Sequence, residues 1–321
     1  MTDIARIRAA AAQASGIRRT PLLAAAALDR MAGRRVLVKA ECLQVTGSFK
    51  ARGAWAAVSA LPPGERARGV LAYSSGNHAQ GIAWAAAGHG LPAVILMPSD
   101  APAVKIERTR ALGAEVVLYD RATEDRDAIG ATLAAVRGLE LIPPFDYPEV
   151  IAGQGTTGLE LAAQATDEGV TAADVLVPCG GGGLSAGIAL ALEAEAPGLR
   201  VRPVEPAGFD DMARSLAAGE HLGNARATGS LCDAILTPRP GALTFPILAR
   251  LAGPGLAVTD AEALRAMAMA FAHLRIVLEP GGAVALAAAL FRPEAFAGDA
   301  VLCVASGGNV APELFTEALR S

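Results

Sequence analysis

Positive charge and cysteine are both scarce in this sequence of 321 residues. Its 28 Lys and Arg are outnumbered by 32 Asp and Glu, which gives a net charge of −4. Because a nucleic-acid-binding face needs clustered basic residues, we expect no nucleic-acid partner. The four cysteines follow no paired spacing, and three of them lie in or beside apolar strand-like runs, so we expect buried free thiols and a reducing compartment. They are Cys42, Cys179, Cys232 and Cys303.

Long uninterrupted hydrophobic runs are also missing. The first ten residues contain no apolar stretch of the kind that signal peptides have. The alanine-rich segment 261–273 is interrupted by Glu262, Arg265 and His273, which argues against a membrane-spanning helix. We therefore expect a cytoplasmic protein with no membrane partner. Linkers and repeats are absent too, so the two domains that the length predicts would arise by insertion of one into the other.

Short apolar segments alternate with helical patterns along the chain, and this order indicates an α/β fold with parallel sheets covered on both faces. The predicted strands include 35–40, 69–73, 92–97, 115–119, 174–177, 200–204 and 300–304. The predicted helices include 77–89, 155–168 and 184–195. Thr259 and Glu262 have the spacing of a capping box, which predicts that a helix begins there.

Four consecutive glycines, Gly180, Gly181, Gly182 and Gly183, separate a predicted strand from a predicted helix. Without Cβ atoms the backbone can approach a ligand closely. The N–H groups at a helix N-terminus bind anions, so we expect a bound phosphate here. A tight turn without function is the alternative, and the glycines alone do not exclude it.

Lys50 lies among small and apolar neighbours, directly after a turn that contains Gly47 and Ser48. Burial lowers the pKa of a lysine, and a neutral amine can attack an aldehyde to form a Schiff base. The alternative for a single lysine is a surface position at the start of a helix.

Polar residues follow two of the predicted strands. Asn77 lies in the segment 73–80 after the first of them and suits a hydrogen bond to a ring phenolate oxygen, while free N–H groups nearby suit a substrate carboxylate. The alternative for Asn77 is an ordinary N-cap. For His78 the alternative is a packing role in the helix, and for this residue we favour that alternative. Ser306 follows the strand at 300–304 and can meet a heterocyclic nitrogen, or it can be a helix N-cap.

Taken together, these segments resemble the fold-type II pyridoxal-phosphate enzymes, in the serine/threonine dehydratase and serine racemase branch. The resemblance implies a tryptophan synthase beta-like α/β fold with two three-layer domains. It extends through nearly the whole chain. The motifs that carry it are Gly47-Ser-Phe-Lys50, Ser75-Gly-Asn-His-Ala-Gln80, Val150-Ile-Ala-Gly-Gln-Gly-Thr156, the four glycines, Glu279-Pro280 and Ser306-Gly-Gly-Asn309.

The resemblance implies a role for each of these positions with pyridoxal 5'-phosphate. Lys50 matches the Schiff-base lysine and general base, Asn77 the residue beside the ring hydroxyl, and Ser306 the partner of the pyridine nitrogen. The glycine run, with the Leu184 amide, matches the phosphate site. Ser74, Asn77, His78 and Arg126 match substrate-contacting positions, although a solvated helix position is the simpler interpretation of Arg126.

The implied activity is an ammonia-lyase that converts L-serine, L-threonine or 3-hydroxyaspartate to a 2-oxo acid. Ser75 matches a serine racemase residue on the cofactor face opposite the lysine, so racemisation of serine or aspartate is the alternative. Ser75 can also merely shape the pocket. A non-catalytic sensor that keeps pyridoxal phosphate or an amino acid is the alternative from another class.

The resemblance also implies domains, a metal site and an assembly. It places a large domain at 1–68 and 147–321 and a small inserted domain at 69–146. Glu205, Asp211 and the carbonyl of Phe209 match a divalent cation site, and such oxygen ligands suit Mg²⁺. A homodimer is implied by resemblance alone. The chain ends shortly after Ser306, so we expect no carboxy-terminal regulatory domain.

The stretch Ser230–Phe245 departs from serine racemase where the family contacts substrate. Racemase substrate preference therefore cannot be transferred to this chain.

Overall fold

A computed structural model describes residues 2–66, 68–101, 103–120 and 122–320. The predicted domains also include residues 1, 67, 102, 121 and 321, which lie outside the described residues. The strands are β1 (Leu22–Ala24), β2 (Arg35–Lys39), β3 (Val70–Tyr73), β4 (Ala93–Pro98), β5 (Glu115–Tyr119), β6 (Glu140–Leu141), β7 (Ala173–Pro178), β8 (Leu199–Pro206), β9 (Leu256–Val258) and β10 (Ala300–Val304).

Helices cover both sheets. They are α1 (Ile4–Ala12), α2 (Ala26–Ala32), α3 (Lys50–Ala60), α4 (Pro63–Arg66), α5 (Asn77–Gly88), α6 (Ala103–Ala111), α7 (Arg126–Arg137), α8 (Pro148–Asp167), α9 (Gly183–Glu195), α10 (Asp211–Ala218), α11 (Thr244–Leu251), α12 (Asp260–Leu274), α13 (Pro280–Phe291) and α14 (Pro312–Ala318).

The strands form two separate sheets. The larger has the order β1-β2-β10-β7-β8-β9, and the smaller has the order β5-β4-β3-β6. All pairings are parallel except that of β1 with β2, where Leu22 lies opposite Lys39 in an antiparallel pair. The predicted α/β class with parallel sheets is therefore confirmed, and the antiparallel edge strand is an addition that the sequence pattern did not reveal.

Alternating side chains of the larger sheet enter two different cores, because successive residues of a strand point to opposite faces. In β10, Val301 and Cys303 pack with α12 and α13. The neighbouring Leu302 and Val304 pack on the other side with α8 and α9. Both faces are thus buried, which explains why these strands are almost continuously apolar.

The smaller sheet also has apolar packing on both faces. Its main core joins β3 and β4 to helices α3 and α5 and includes Trp55 and Ile82. Leu71 and Val94 of the same strands form a second cluster with Leu139 on the opposite face, against which Leu133 of α7 packs. Helix α3 packs against this sheet although it lies outside the predicted small-domain range 69–146. We therefore propose the division into two domains only for the strands, because each range contains the strands of one sheet.

Two helix starts show how local sequence positions the elements. Thr259 and Glu262 form the predicted capping box at the start of α12. Helix α8 begins at Pro148 rather than at residue 155. Proline suits the first helical position, because its missing N–H would have no partner there. The glycines in the segment 153–158 do not end the helix, since they allow close contact with α3 and α9.

A buried ion cluster lies under α3. The side chains of Arg52 and Glu41 are 1% and 0% exposed, with Arg52 Nε 2.7 Å from Glu41 Oε2. Arg52 Nη1 also lies 2.7 Å from Glu160 of α8, whose other oxygen binds Lys39 of β2. Each charge has an opposite partner, so the cluster ties β2, α3 and α8 together without a net charge.

None of the helices in the part of the chain that the structure describes combines the length and apolar character that a membrane crossing requires. All four cysteines are buried free thiols, as predicted.

We expect Arg52→Leu to lower the free energy of unfolding by about 3–5 kcal/mol, because it leaves Glu41 buried without a cation. The control is Arg250→Leu, which removes an exposed pair with Glu193 and should cost about 1 kcal/mol or less. Thermal and urea unfolding measure both effects. Equal losses in the two variants would show that the buried cluster has no special contribution.

Candidate active site

A cavity of about 250 Å³ lies where three strands end. Ser74 and Ser75 follow β3, the four glycines follow β7, and Ser306 follows β10; all of them line this cavity. Carboxyl ends of parallel strands are the usual place for a ligand in open α/β sheets. The fold therefore brings together segments that are far apart in the sequence.

All residues that we predicted to contact the cofactor line the cavity. They are Lys50, Asn77, Gly180, Gly181, Gly182, Gly183, Leu184 and Ser306. The predicted substrate contacts Ser74 and His78 also line it, as does Ser75, which the resemblance implies as a second catalytic residue.

Lys50 is the first residue of α3 and is half-buried at the cavity wall. Its Nζ donates a hydrogen bond of 2.6 Å to the carbonyl oxygen of Pro144. Burial lowers the pKa of the Lys50 ammonium group to about 8, against the opposing charge of Glu279. A fraction of the amine is therefore neutral near physiological pH, as a nucleophile or a base requires.

The glycine loop has no room for side chains. A Cβ at Gly181 would lie 2.3 Å from Cδ2 of Phe145, and one at Gly183 would lie 3.0 Å from the Phe145 Cβ. Gly182 has a φ of +91°, in the left-handed region that favours glycine. The loop leads into the first turn of α9, where no side chain caps the free N–H groups. Such a backbone cradle fits a phosphate group.

Hydrogen bonds from the segment 241–244 also hold the glycine loop in place. Thr244 Oγ1 and the Gly241 N–H both donate to the carbonyl oxygen of Gly181. Asp146 accepts hydrogen bonds from the N–H groups of Ala242 and Leu243, at 2.9 and 2.7 Å. The segment that departs from serine racemase thus packs directly on the glycine loop.

Asn77 is not an N-cap, so that alternative is excluded. It is the first helical residue of α5, after Gly76. Its Nδ2 donates 2.6 Å to Glu279 Oε1, and its Oδ1 accepts 2.7 Å from Asn309 Nδ2. The first turn of α5 has no side-chain cap, which leaves N–H groups for the predicted substrate carboxylate. Ser74 Oγ accepts from the Gly76 N–H nearby.

Glu279 is a cavity residue to which we assigned no role from the sequence. It immediately precedes α13, and burial raises the pKa of its carboxyl group to about 7, although the hydrogen bond from Asn77 opposes this. The available signal was a charged residue before Pro280, at the start of an otherwise apolar helix. Its partner Asn77 is too distant in sequence for that signal to identify the contact.

His78 combines a cavity position with a satisfied ring. Its Nε2 lies 2.9 Å from the carbonyl oxygen of Ile142, which can only accept, so Nε2 carries the proton. Burial, and secondly the charge of Lys50, lower the pKa of the imidazole to about 3. The ring is therefore neutral at physiological pH.

Ser306 is buried and does not cap a helix, because the next helix, α14, begins only at Pro312. Its carbonyl oxygen accepts from the Phe49 N–H at 3.1 Å. This bond joins the end of β10 to the residue before Lys50. It therefore fixes the position of Ser306 relative to Lys50, the two residues predicted to contact the cofactor.

Arg126 does not line the cavity. It is exposed at the start of α7, its Nε donates to Asp127, and its guanidinium carbon lies 5.1 Å from the ring centroid of Tyr73. Tyr73 itself lines the cavity. A substrate contact for Arg126 stays a prediction.

The predicted metal ligands lie in β8 and in the segment between it and the start of α10, and none of them lines the cavity. Both carboxylate oxygens of Glu205 accept from the N–H groups of Met212 and Ala213, at 3.0 and 2.8 Å. Asp211 Oδ1 accepts from Asn224, whereas its buried Oδ2 has no hydrogen-bond partner. Burial raises the pKa of both carboxyl groups, that of Asp211 to about 6.

These carboxylates do not form a larger cluster. No group of three or more His, Cys, Asp or Glu side chains that could hold a metal ion occurs within residues 2–66, 68–101, 103–120 and 122–320.

Comparison with known proteins identifies the protein family of the chain that forms this cavity. The family described as pyridoxal-phosphate dependent enzyme matches residues 14–307. The chain belongs to this family. The predicted family is therefore confirmed, and the cavity fits its cofactor in having a partly desolvated lysine and a side-chain-free anion cradle.

Two relatives and one solved structure show where in the pyridoxal-phosphate family the similarity lies. The L-threo-3-hydroxyaspartate ammonia-lyase of Pseudomonas sp is 43% identical over 303 residues, 94% of this chain and 93% of that protein. Serine racemase of Oryza sativa subsp. indica is 36% identical over 314 residues, 96% and 91% of the two chains. The crystal structure of maize serine racemase has a TM-score of 0.91 at 34% identity and covers 99% of this chain and 97% of that one.

We expect Gly181→Ala to weaken pyridoxal-phosphate binding to the apoprotein by about tenfold or more, because the added Cβ displaces Phe145 or the loop that holds the phosphate. Gly64→Ala is the matched control, since a Cβ at Gly64 meets no atom within 4 Å. Titration of cofactor absorbance and fluorescence measures the affinity. Unchanged affinity in Gly181→Ala would contradict the assignment of the phosphate site.

Proposed function

We propose that this protein is an ammonia-lyase that converts a small β-hydroxy amino acid to a 2-oxo acid and ammonia. The observation that carries the proposal is the position of the Lys50 amine, partly desolvated, in one cavity with the glycine loop, Asn77 and Ser306. When bound, pyridoxal phosphate supplies an electron-withdrawing group that acidifies the α-carbon proton of an amino acid.

The residues of the chain then have separate tasks. The N–H groups of the glycine loop and of Leu184 hold the phosphate, and the first turn of α5 binds the substrate carboxylate. Ser306 would hold the ring nitrogen through its hydroxyl group, which is too weak an acid to protonate that nitrogen. This contact would leave the ring a weaker electron sink, which favours loss of the β-substituent as the α-proton is removed.

Lys50 Nζ takes the α-proton as general base. The electrons of the broken C–H bond form a C=C double bond, and the β-hydroxyl group leaves with a proton as water. The released enamine takes up one water and loses ammonia. One water leaves and one enters, so substrate and products balance.

Among the three candidate substrates, we propose 3-hydroxyaspartate. The relative that is 43% identical bears that specificity in its name. In addition, Lys105 lines the cavity, and its Nζ lies 3.5 Å from Asp233 Oδ2. A cation at this position suits the second carboxylate of 3-hydroxyaspartate, which serine and threonine lack.

Racemisation is the second candidate, because Ser75 lines the cavity and serine racemase is 36% identical. A hydroxyl group on the cofactor face opposite Lys50 would return a proton to the α-carbon and invert its configuration. Loss of the β-hydroxyl group and return of a proton to the opposite face of the α-carbon would then be competing outcomes after Lys50 removes the α-proton.

We expect purified holoenzyme to form ammonia and oxaloacetate from L-threo-3-hydroxyaspartate faster than keto acids from L-serine or L-threonine. Lys50→Ala should lower this rate by about 10²–10⁴-fold, since it removes the general base. Coupled keto-acid assays and chiral chromatography measure products. Formation of D-serine in excess of pyruvate would favour the racemase, and a protein that binds the cofactor but turns over no substrate would be a sensor.

We also propose a divalent cation at Glu205, Asp211 and the carbonyl oxygen of Phe209. The buried, unpartnered Oδ2 of Asp211 supports it, and oxygen ligands suit Mg²⁺. Since none of these residues lines the cavity, the cation would stabilise the loop between β8 and α10 and take no part in the chemistry.

We expect EDTA treatment to lower the thermal unfolding midpoint and Mg²⁺ to restore it, because the cation relieves the repulsion between two buried carboxylates. Asp211→Asn should abolish the Mg²⁺ response, whereas the exposed control Asp167→Asn should retain it. Differential scanning fluorimetry measures these shifts. Identical midpoints with EDTA and with Mg²⁺ in the unmodified protein would contradict the site.

A homodimer and a cytoplasmic location complete the proposal. Both rest on family resemblance and composition. Light scattering of the purified protein gives its mass in solution.

A further inference from the structure

A chain of hydrogen bonds crosses the floor of the cavity. Asn309 Nδ2 donates to the carbonyl oxygen of Thr46 at 2.8 Å and to Asn77 Oδ1 at 2.7 Å. Asn77 Nδ2 in turn donates to Glu279 Oε1 at 2.6 Å. The chain therefore joins the segments that lead into α3 and α13 through two side-chain amides, that of Asn309 after β10 and that of Asn77 at the start of α5.

Both ends of this chain accept hydrogen bonds, and this fixes its direction. The carbonyl oxygen of Thr46 has no proton to donate, so the Asn309 amide must turn its NH₂ group toward it. An ionised Glu279 carboxylate likewise only accepts, so Asn77 must turn its NH₂ group toward Glu279. The Asn77 oxygen then accepts from Asn309, and its nitrogen, which donates one N–H to Glu279, retains a second N–H on a side chain that lines the cavity.

The Asn309 amide and the Glu279 carboxylate, which lie on either side of Asn77, are both closely packed. Gly47 has a φ of +76°, and a Cβ there would lie 2.6 Å from Asn309 Oδ1. A Cβ at Gly307 would lie 2.1 Å from Glu279 Oε1. The Glu279 N–H also donates to the carbonyl oxygen of Gly307 at 3.1 Å. The Glu279 carboxylate and the Asn309 amide thus lie directly against the backbone of Gly307 and Gly47. A side chain at either glycine would displace them.

We propose that Glu279 and Asn309 are positioning residues that orient the Asn77 amide as a donor toward the ring oxygen of the cofactor, and so select its ionised form. This inference rests on the proposed role of Asn77 beside that oxygen. A free N–H stabilises an anionic oxygen, whereas a free amide oxygen would stabilise a hydroxyl group instead. The direction of one amide thereby sets the charge of the bound ring.

The charges around Glu279 determine when this orientation holds. Asp233 raises the pKa of the Glu279 carboxyl group, whereas Lys105 and Lys50 lower it, in addition to the larger effect of burial. Cys42 also faces the carboxylate and is uncharged, since burial raises the pKa of its thiol to about 12. When Glu279 is protonated it can donate to Asn77, so the amide can reverse. The orientation is therefore secure above pH 7 and weaker below it.

The test uses the holoenzyme with Glu279→Gln, which keeps the shape but removes the charge, and Asn309→Asp, which cannot donate to Asn77. The visible absorbance of the bound cofactor is titrated between about pH 5 and 10, and cofactor affinity is measured on the apoproteins. We expect affinity to fall by about tenfold or more in both variants, as for a lost hydrogen bond to a charged group. The midpoint of the absorbance titration should move by about one pH unit or more.

Glu262→Gln is the matched control, because it makes the same substitution in a partly exposed pair with Arg292 that does not line the cavity. A purely structural role would lower thermal stability and leave the titration midpoint in place. A midpoint equal to that of the unmodified protein in both variants would overturn the inference. If Glu279→Gln does not fold, Asn309→Asp alone decides.

This outcome is distinguishable from a failure of the proposed function. Borohydride reduction followed by peptide mass spectrometry shows whether the unmodified protein links pyridoxal phosphate to Lys50. Labelling of Lys50 with an unchanged midpoint in the variants refutes only the role of Glu279 and Asn309. Absence of labelling refutes the proposed function itself.

Discussion

The proposed chemistry depends on keeping one lysine amine partly out of water, in the cavity that the glycine loop also lines. Lys50 achieves this at the first turn of α3, with its Nζ on the Pro144 carbonyl and its pKa lowered to about 8. Placing the amine there requires a rigid α3. The buried pairs of Arg52 with Glu41 and Glu160 begin only two residues further along that helix. The ion cluster thus stabilises the same helix turn that positions Lys50 in the cavity.

Much of the site could be predicted because its parts are local in sequence. The glycine loop, Lys50, Asn77 and Ser306 each follow or begin a regular element, and short apolar runs between helical patterns located those elements. The parallel sheets and the family are confirmed, whereas the roles of individual residues stay predictions. The predicted helix at 155–168 is too short, because α8 begins at Pro148, which suits the first helical position.

The remaining features depend on contacts between distant residues, which no local pattern contains. Glu279 and Asn77 are 202 positions apart, and Phe145 meets the glycine loop from another segment. The short antiparallel strand β1 exists only because β2 is there to pair with it. The proposed substrate contact has the same difficulty, since Lys105 of α6 and Asp233 come from separate segments that meet only in the folded state.

The edges of both sheets have a consequence for the behaviour of the protein at high concentration. The larger sheet ends in strands of three residues on each side, Leu22–Ala24 and Leu256–Val258, and one edge of the smaller sheet is the two-residue strand Glu140–Leu141. Such short edges offer few unpaired backbone groups to another molecule. In a chain that is more than half hydrophobic, three of the four sheet edges thereby limit fibril-like growth through their geometry. The fourth edge, β5, is five residues long and begins with the charged Glu115.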